Sequence, residues 1–477
     1  MEVIKFGTDG WRAIISEEFN FENVRKVAQA IATYLKSKNL NSKQSQNSKS
    51  KNQIIIGYDA RFLADKFAIE IAKVMKENGI SSLITERDTP TPIVAWSVKD
   101  KGALGAIMLT ASHNPPEYCG IKFIPDYAGP ANEEITKQIE RNLSEMTNDK
   151  IQMTNKSSKS QAQIEHFEPR EHYFEYIERF IDVDAIRKAK LKVLYDPMYG
   201  SGRGYLDKLL QMYGCKTEEI HNYRDVLFGG QNPEPGDKEL TELKRKVVEG
   251  KFDLGLANDG DADRFGVVDE QGNFLDANKI IALVFNYLVS KGKKGSVVRS
   301  IATTSLIDAI AAEHNIKLHE TKVGFKYIAE IMMREKVIIG GEESGGLSID
   351  GHIPEKDGLL ADLLVVEMVA KSKKTLSELW KDLIAKYGTY EFKRGKIETT
   401  EEKKSALMEG LKKSPPIEIG GMKVAEVKTT DGVKIILEDK SWLLVRPSGT
   451  EPIIRVYYES KDPGILNKIA QYVKGLV

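Results

Sequence analysis

Gly105-Ala106-Ile107-Met108-Leu109-Thr110-Ala111-Ser112-His113-Asn114-Pro115-Pro116 opens on a short apolar run and then turns polar. Such a run, breaking into Ser, Asn and Pro, reads as a buried strand that ends in a loop. The same break recurs at Phe252–Ala257 and at Val337–Ile339. Further short strands are predicted at Ile54–Ile56, Leu191–Tyr195, Ser296–Arg299 and Lys317–Glu320. Helical patterns fall between them at Ala64–Asn78, Gly204–Tyr213, Thr303–Glu313 and Gly324–Arg334, and close at Leu359–Ala370 and Leu376–Tyr387. Strands alternating with helices predict α/β layers with mostly parallel sheets. After Tyr390 the pattern changes to strands with turns between them, Asp431-Gly432 among those turns, and a helix from Ile465. That predicts a smaller α+β tail.

The chain has 477 residues, too many for one core, so two to four domains are expected. Lys plus Arg and Asp plus Glu number 70 each, so no global charge points to nucleic acid or an anionic membrane. Anions must be met by local clusters. The most apolar run, Ile280–Val289, is too short to span a bilayer, and the N-terminus carries Glu2, Lys5, Asp9 and Arg12 in place of a leader's apolar stretch. Two cysteines, Cys119 and Cys215, make no disulfide framework. A cytoplasmic protein is expected. Two polar stretches stand out. Lys36–Gln53 reads as a solvated loop, and Ser144–Gln163 as a linker between domains.

The loops after the strands carry the chemistry. In Asp259-Gly260-Asp261-Ala262-Asp263-Arg264 three carboxylates alternate, a pattern that can converge on one hard cation such as Mg²⁺. Arg264 beside them suits a phosphate oxygen. A calcium-binding helix–loop–helix is the rival. It needs Gly where Arg264 stands, and the flanks here read as strands. Ser112 is a hydroxyl at a strand's carboxyl end, where ligands of α/β sheets gather. A turn is its plain alternative. A Ser-His-Asp hydrolase is another, but no G-x-S-x-G surrounds Ser112. Gly340-Gly341-Glu342-Glu343-Ser344-Gly345-Gly346 offers a carboxylate and a hydroxyl on an open backbone, suited to a polyol. Arg446-Pro447-Ser448-Gly449-Thr450-Glu451-Pro452 is a compact anion nest. Gly7-Thr8-Asp9-Gly10-Trp11-Arg12 reads as a terminal turn, with Arg12 available to a phosphoryl group.

Together and in this order, these motifs resemble the α-D-phosphohexomutase superfamily over essentially the whole chain. The resemblance implies three consecutive α/β domains and a smaller C-terminal α+β domain around a central cleft. We divide them at 1–160, 161–272, 273–388 and 389–477. It implies a phosphoserine at Ser112 and Mg²⁺ on Asp259, Asp261 and Asp263 with that phosphoserine as fourth ligand. It implies sugar hydroxyls on Glu342 and Ser344, and a distal phosphate on Arg446, Ser448, Gly449 and Thr450. Lys122 matches a lysine of proton transfer, with His113 beside it. A lysine serves as a base near neutrality only with a depressed pKa, which neighbouring cations such as Arg12 are expected to supply. The implied reaction interconverts hexose 1-phosphate and hexose 6-phosphate through a hexose 1,6-bisphosphate, with glucose 1,6-bisphosphate as activator and intermediate. The partners implied are small hexose phosphates, with no nucleic acid and no membrane, and the chain a monomer or homodimer.

Within the superfamily the chain is most similar to the phosphoglucomutase branch. Glu343, Gly346, Phe325, Lys326 and Lys356 carry that similarity, with Lys326 and Lys356 expected to face the substrate. Phosphoglucosamine mutases usually show G-E-Q-S-G-H, from which Glu343 and Gly346 both depart. A phosphomannomutase or a dual enzyme is the near alternative, and a non-catalytic sugar-phosphate binder the distant one. Cys119 stands where many relatives have Asn, which raises the question of thiol sensitivity.

Overall fold

The computed structural model describes residues 4–7, 9–41, 52–146, 162–448 and 452–476. Four sheets follow one another along the chain. In the first, the order is Trp11–Ile14, Tyr118–Pro125, Gly105–Leu109, Gln53–Tyr58, Ser81–Thr85, Ile164–Phe167. The last four run parallel, while Tyr118–Pro125 turns back antiparallel against Gly105–Leu109. The second sheet, Phe274–Leu275, Phe265–Val268, Leu254–Asn258, Lys192–Asp196, Lys216–Glu219, and the third, Leu318–Thr321, Ser296–Ser300, Val337–Glu342, Gly346–Ile349, share this design. Each has a parallel core and an antiparallel return strand after its loop. The fourth sheet is antiparallel throughout. This is the expected class: three α/β units with mixed sheets and a C-terminal α+β unit.

One consequence is that Ser112, the Asp259–Asp263 loop and the Glu342–Gly345 loop occupy equivalent places. Each follows a fully buried strand and precedes an antiparallel return strand. Burial on both faces explains why those strands read as continuous apolar runs.

The helix Gly358–Ser372 ties the second and third units together. Asp357 caps it by accepting from Leu360 N at 3.0 Å. The helix packs on Leu254–Asn258 and Phe265–Val268 as well as on Gly346–Ile349. Leu359, Leu360, Leu363 and Leu364 are completely buried, each stabilising by about 1.5–3 kcal/mol. Their packing fixes the Asp loop relative to the Glu342 loop. The C-terminal unit has its own core around Ile435, Val445 and Ile469. It meets the third unit through Trp442, Leu444 and Tyr457 against Ile301 and Ala302.

Several sequence expectations need revision. Lys36–Asn41 is not loop but the end of the helix Phe21–Asn41; the rest of that polar stretch lies almost wholly outside the described residues, as does most of Ser144–Gln163. The Gly7–Arg12 motif is more than a terminal turn: Gly7 N donates to Gly10 O at 2.8 Å, and the chain continues as the edge strand Trp11–Ile14, with Arg12 opposite Gly120. Ile164–Phe167 adds to the first sheet beyond residue 160, and Phe274–Leu275 adds to the second sheet beyond residue 272. Hydrogen-bonded ladders thus cross both of those sequence-drawn limits. Among the described residues no helix is long and apolar enough to cross a membrane.

Candidate active site

Ser112 stands where the first and second units meet. Its backbone is left-handed, at φ 51°, a conformation that strains any residue but glycine. Its Oγ donates to Asp259 Oδ2 at 2.8 Å, and His113 Nδ1 lies 3.4 Å away. The two loops touch closely at Gly260, where a Cβ would come within 2.8 Å of the Ser112 carbonyl oxygen. Only glycine lets the acidic loop approach the serine this far.

Asp259, Asp261 and Asp263 are completely buried, and one oxygen from each lies within 4.8 Å of the others. The Oδ1 atoms of Asp261 and Asp263 are buried without a hydrogen-bond partner. Buried carboxylate oxygens left unpaired are costly. An all-oxygen, all-acidic donor set with unpaired lone pairs suits a hard divalent cation, so the residues fit Mg²⁺.

The Oδ2 atoms of Asp261 and Asp263 face lysines. Lys122 Nζ lies 2.9 Å from each of Asp9 Oδ2, Asp261 Oδ2 and Asp263 Oδ2. Lys356 Nζ lies 2.8 Å from Asp263 Oδ2 and 3.5 Å from Asp9 Oδ2. Thr91 Oγ1 donates to Asp261 Oδ2 at 2.6 Å. Arg12 Nη1 donates to Asn114 Oδ1 at 2.6 Å, and Arg264 Nε is 3.9 Å from Asp263 Oδ1. Lys356 is thus not a surface charge at a helix start: it is buried in this cluster. Its stem lies over Gly346, where a Cβ would fall 2.4 Å from Lys356 Cδ. The small residue at 346 and the lysine at 356 are one steric arrangement.

The electrostatics follow from these contacts. Burial alone would lower the Lys122 pKa, but Asp261, Asp263 and Asp9 outweigh it and raise the value well above that of a free lysine. The expected depression by Arg12 is therefore overturned, because three carboxylates surround the ammonium and Arg12 is the lesser influence. Burial would raise Asp263, but Lys122, Lys356 and Arg264 hold it well below the usual range. Asp259 is pushed well up by burial and by Asp261 and Asp263. Burial, Arg264 and Arg12 push His113 well down. Glu342 is raised to about 7 by burial and Glu343. Cys119 is completely buried and its thiol is pushed up, so it is sheltered rather than thiol-sensitive.

The structure therefore brings together Ser112, His113, Lys122, Arg12, Asp259, Asp261, Asp263, Arg264 and Lys356. Glu342 borders them through the charges of Lys356 and Arg264, and its Oε1 accepts from Gly324 N at 2.9 Å. Ser344 is partly exposed beside it. Glu343 turns away, accepting from Ser300 Oγ at 2.8 Å. Lys326 faces Glu133 at 3.8 Å. Arg446 donates through Nε to both Asp431 oxygens at 2.9 Å, and Ser448 follows it, buried, with its amide donating to Ile453 O at 3.0 Å. Gly449 and Thr450 lie outside the described residues. Asp9, Thr91 and Glu355 were missed from sequence. Asp9 sits inside the quoted Gly7–Arg12 motif, and Glu355, raised to about 8 by burial, precedes Lys356. Thr91 has no sequence signal beyond its place at the start of the helix Thr91–Lys101.

Four family models match the chain in order. They are the phosphoglucomutase/phosphomannomutase alpha/beta/alpha domains I (residues 3–150), II (171–272) and III (276–387), and the C-terminal domain (396–476). A phosphoglucomutase/phosphomannomutase of Thermococcus kodakarensis is 33% identical over 96% of this chain and 94% of its own. A phosphoglucosamine/phosphogalactosamine mutase of Sulfurisphaera tokodaii is 31% identical over 99% and 98%. A solved structure from Thermus thermophilus, described as a candidate phosphomannomutase, superposes with a TM-score of 0.84 at 31% identity and 99% coverage of both chains.

Proposed function

The chain belongs to the phosphoglucomutase/phosphomannomutase family, and on that premise we propose that it interconverts glucose 1-phosphate and glucose 6-phosphate through a phosphoserine at Ser112. The observation that carries this reading is the contact across the two units, Ser112 Oγ to Asp259 Oδ2 at 2.8 Å, with two further buried carboxylates beside it.

In the proposed cycle the Ser112 Oγ–phosphorus bond breaks and the free hydroxyl of the hexose monophosphate takes the phosphoryl group. The proton of that hydroxyl passes to a base beside Ser112; His113, 3.4 Å from Oγ and held neutral, is free to accept it, whereas Lys122 is held protonated as long as Asp9, Asp261 and Asp263 face it. The hexose 1,6-bisphosphate turns over, and its other phosphoryl group returns to Ser112 while the proton is given back. Asp259, Asp261 and Asp263 would hold Mg²⁺, which supplies positive charge against the phosphoryl oxygens when bound. Arg12, Arg264 and Lys356 add fixed cations around the same oxygens. Such preorganised charge is the chief contribution a protein makes to phosphoryl transfer. Glu342 and Ser344 are proposed to bind the sugar hydroxyls. Arg446 and Ser448, with Gly449 and Thr450, are proposed to anchor the distal phosphate, and Lys326 to face the substrate from the third unit. The sequence-drawn cytoplasmic location and monomeric or dimeric state belong to the same proposal.

The glucose preference rests on Gly346 and Lys356, since Glu343 is spent on Ser300. The second reading is an enzyme for mannose or amino-sugar phosphates, favoured by the names of the relatives from Thermococcus kodakarensis and Sulfurisphaera tokodaii. Initial rates on glucose, mannose and glucosamine 1-phosphates, with Mg²⁺ and a trace of the matching bisphosphate, separate the two. A higher kcat/KM on mannose or glucosamine 1-phosphate refutes the glucose assignment. Full turnover by Ser112→Ala refutes the phosphoserine.

A further inference from the structure

Arg61 is completely buried, and every N–H of its guanidinium is used. Nε donates to Asp59 Oδ2 at 3.1 Å. Nη1 donates to the carbonyls of Pro115 and Tyr118 at 2.7 and 2.8 Å. Nη2 donates to those of Ser112 and Asn114 at 2.8 and 2.7 Å. Five donors in a fixed fork thus meet one carboxylate and four carbonyls of a single loop, the one that carries Ser112. The same carboxylate reaches that loop by a second route. Thr110 Oγ1 donates to Asp59 Oδ2 at 2.6 Å and accepts from Ser112 N at 2.7 Å.

This clamp also faces the second unit. The Phe228 ring lies 5.1 Å from the Arg61 guanidinium carbon and is itself completely buried, with Ala60 and Tyr199. Arg224 donates to the carbonyls of Ala60 and Arg61, both at 3.2 Å. Arg61 therefore stands between the serine loop and the unit that supplies Asp259. A left-handed serine persists only where its surroundings over-determine it, and here its carbonyl is held by Arg61 and its amide by Thr110, whose hydroxyl donates on to Asp59.

We infer that Arg61, with Asp59 and Thr110, is the positioning device of the nucleophile. It fixes the backbone of residues 110–118 against the second unit so that Ser112 Oγ meets the Asp259 loop. This rests on the reading of Ser112 as the phosphoryl carrier. An ion pair that served folding alone would lower stability and leave the rate per folded molecule unchanged. A positioning role lowers kcat and leaves substrate binding in place, because none of the three residues is assigned a contact with substrate.

Thr110→Val is the decisive variant, since it keeps the shape and removes the hydroxyl that links Asp59 to the Ser112 amide. Its kcat is expected to fall about 10- to 100-fold, the cost of misplacing a reacting group by about 1 Å. Its KM should stay within about twofold. Thr110→Ser, which restores the hydroxyl, should recover most of the rate. Arg61→Lys, which cannot span four carbonyls, should show the same split with a larger loss. Amide hydrogen exchange over residues 110–118 should quicken in both defective variants. A kcat for folded Thr110→Val within about twofold of wild type overturns the inference, whether or not Arg61→Lys folds. Ser112→Ala, assayed alongside, keeps the two claims apart. If it is inactive while Thr110→Val is unimpaired, only the positioning role fails. If it turns over normally, the phosphoserine reading fails and this inference with it.

Discussion

Gly346→Ala should disable the enzyme through a residue that is assigned no contact with substrate. The backbone at 346 is not in the left-handed region, so alanine is tolerated conformationally and the effect is steric. The new Cβ would fall 2.4 Å from Lys356 Cδ and 2.6 Å from its Cγ, about 1 Å inside ordinary contact. The Lys356 stem must swing away by roughly that amount, and Nζ moves with it from the 2.8 Å contact with Asp263. For a group proposed to stabilise transferring charge, a displacement of about 1 Å should cost about 100-fold in rate. The Lys356→Met background tests the route. There the alanine should add little, because the two changes act on one side chain and couple. Steady-state kinetics on glucose 1-phosphate, with thermal unfolding to confirm folded protein, measure both. A Gly346→Ala enzyme with kcat within about twofold of wild type would refute the reasoning. So would a full additional loss in the Lys356→Met background.

Asp261→Asn should reduce Mg²⁺ affinity and lower the rate by at least about 100-fold, seen as a rightward shift of the Mg²⁺ titration; an unchanged midpoint contradicts the acidic cluster as the metal site. Leu364→Ala should lower unfolding stability by about 2–5 kcal/mol, since its side chain is completely buried in the helix shared by two units; differential scanning calorimetry reads the loss. His221, bonded to Asp196 at 3.0 Å, has its pKa raised, by that bond first and against the pull of burial. Its contribution is thus full below the ordinary histidine value and lost as pH rises through the elevated one. His221→Asn, which tolerates the left-handed backbone there, should cost about 0.5–1 kcal/mol near pH 5.5 and little near pH 9. Urea unfolding at both values checks the sign, and a penalty that grows with pH would reverse it.

The strands that present the site were readable because burial on both faces leaves unbroken apolar runs such as Ile107-Met108-Leu109. The polar loops after them were readable for the same reason: chemistry stands out against an apolar strand. The return strands were harder. Tyr118–Pro125 carries Lys122 and Gly120 within its apolar sequence, so periodicity gave no clean signal. Its existence follows from pairing with Gly105–Leu109, a tertiary fact. The direction of the Lys122 shift is not legible in the sequence for a related reason. Sequence places Arg12 near in the motif set, whereas three carboxylates from two different units close on the ammonium only in space. Asp59 and Arg61 follow a strand just as Ser112 does. A buried arginine looks like any charged loop residue until the carbonyls it binds are known.

The central claim is that Ser112 carries the phosphoryl group, and mass spectrometry of the intact protein with peptide mapping tests it most directly. Protein treated with glucose 1,6-bisphosphate should carry one added phosphate, located on Ser112, and lose it on mixing with excess glucose 1-phosphate as bisphosphate appears. Turnover that continues with no phosphate on Ser112, or with the phosphate on another residue, would contradict the account.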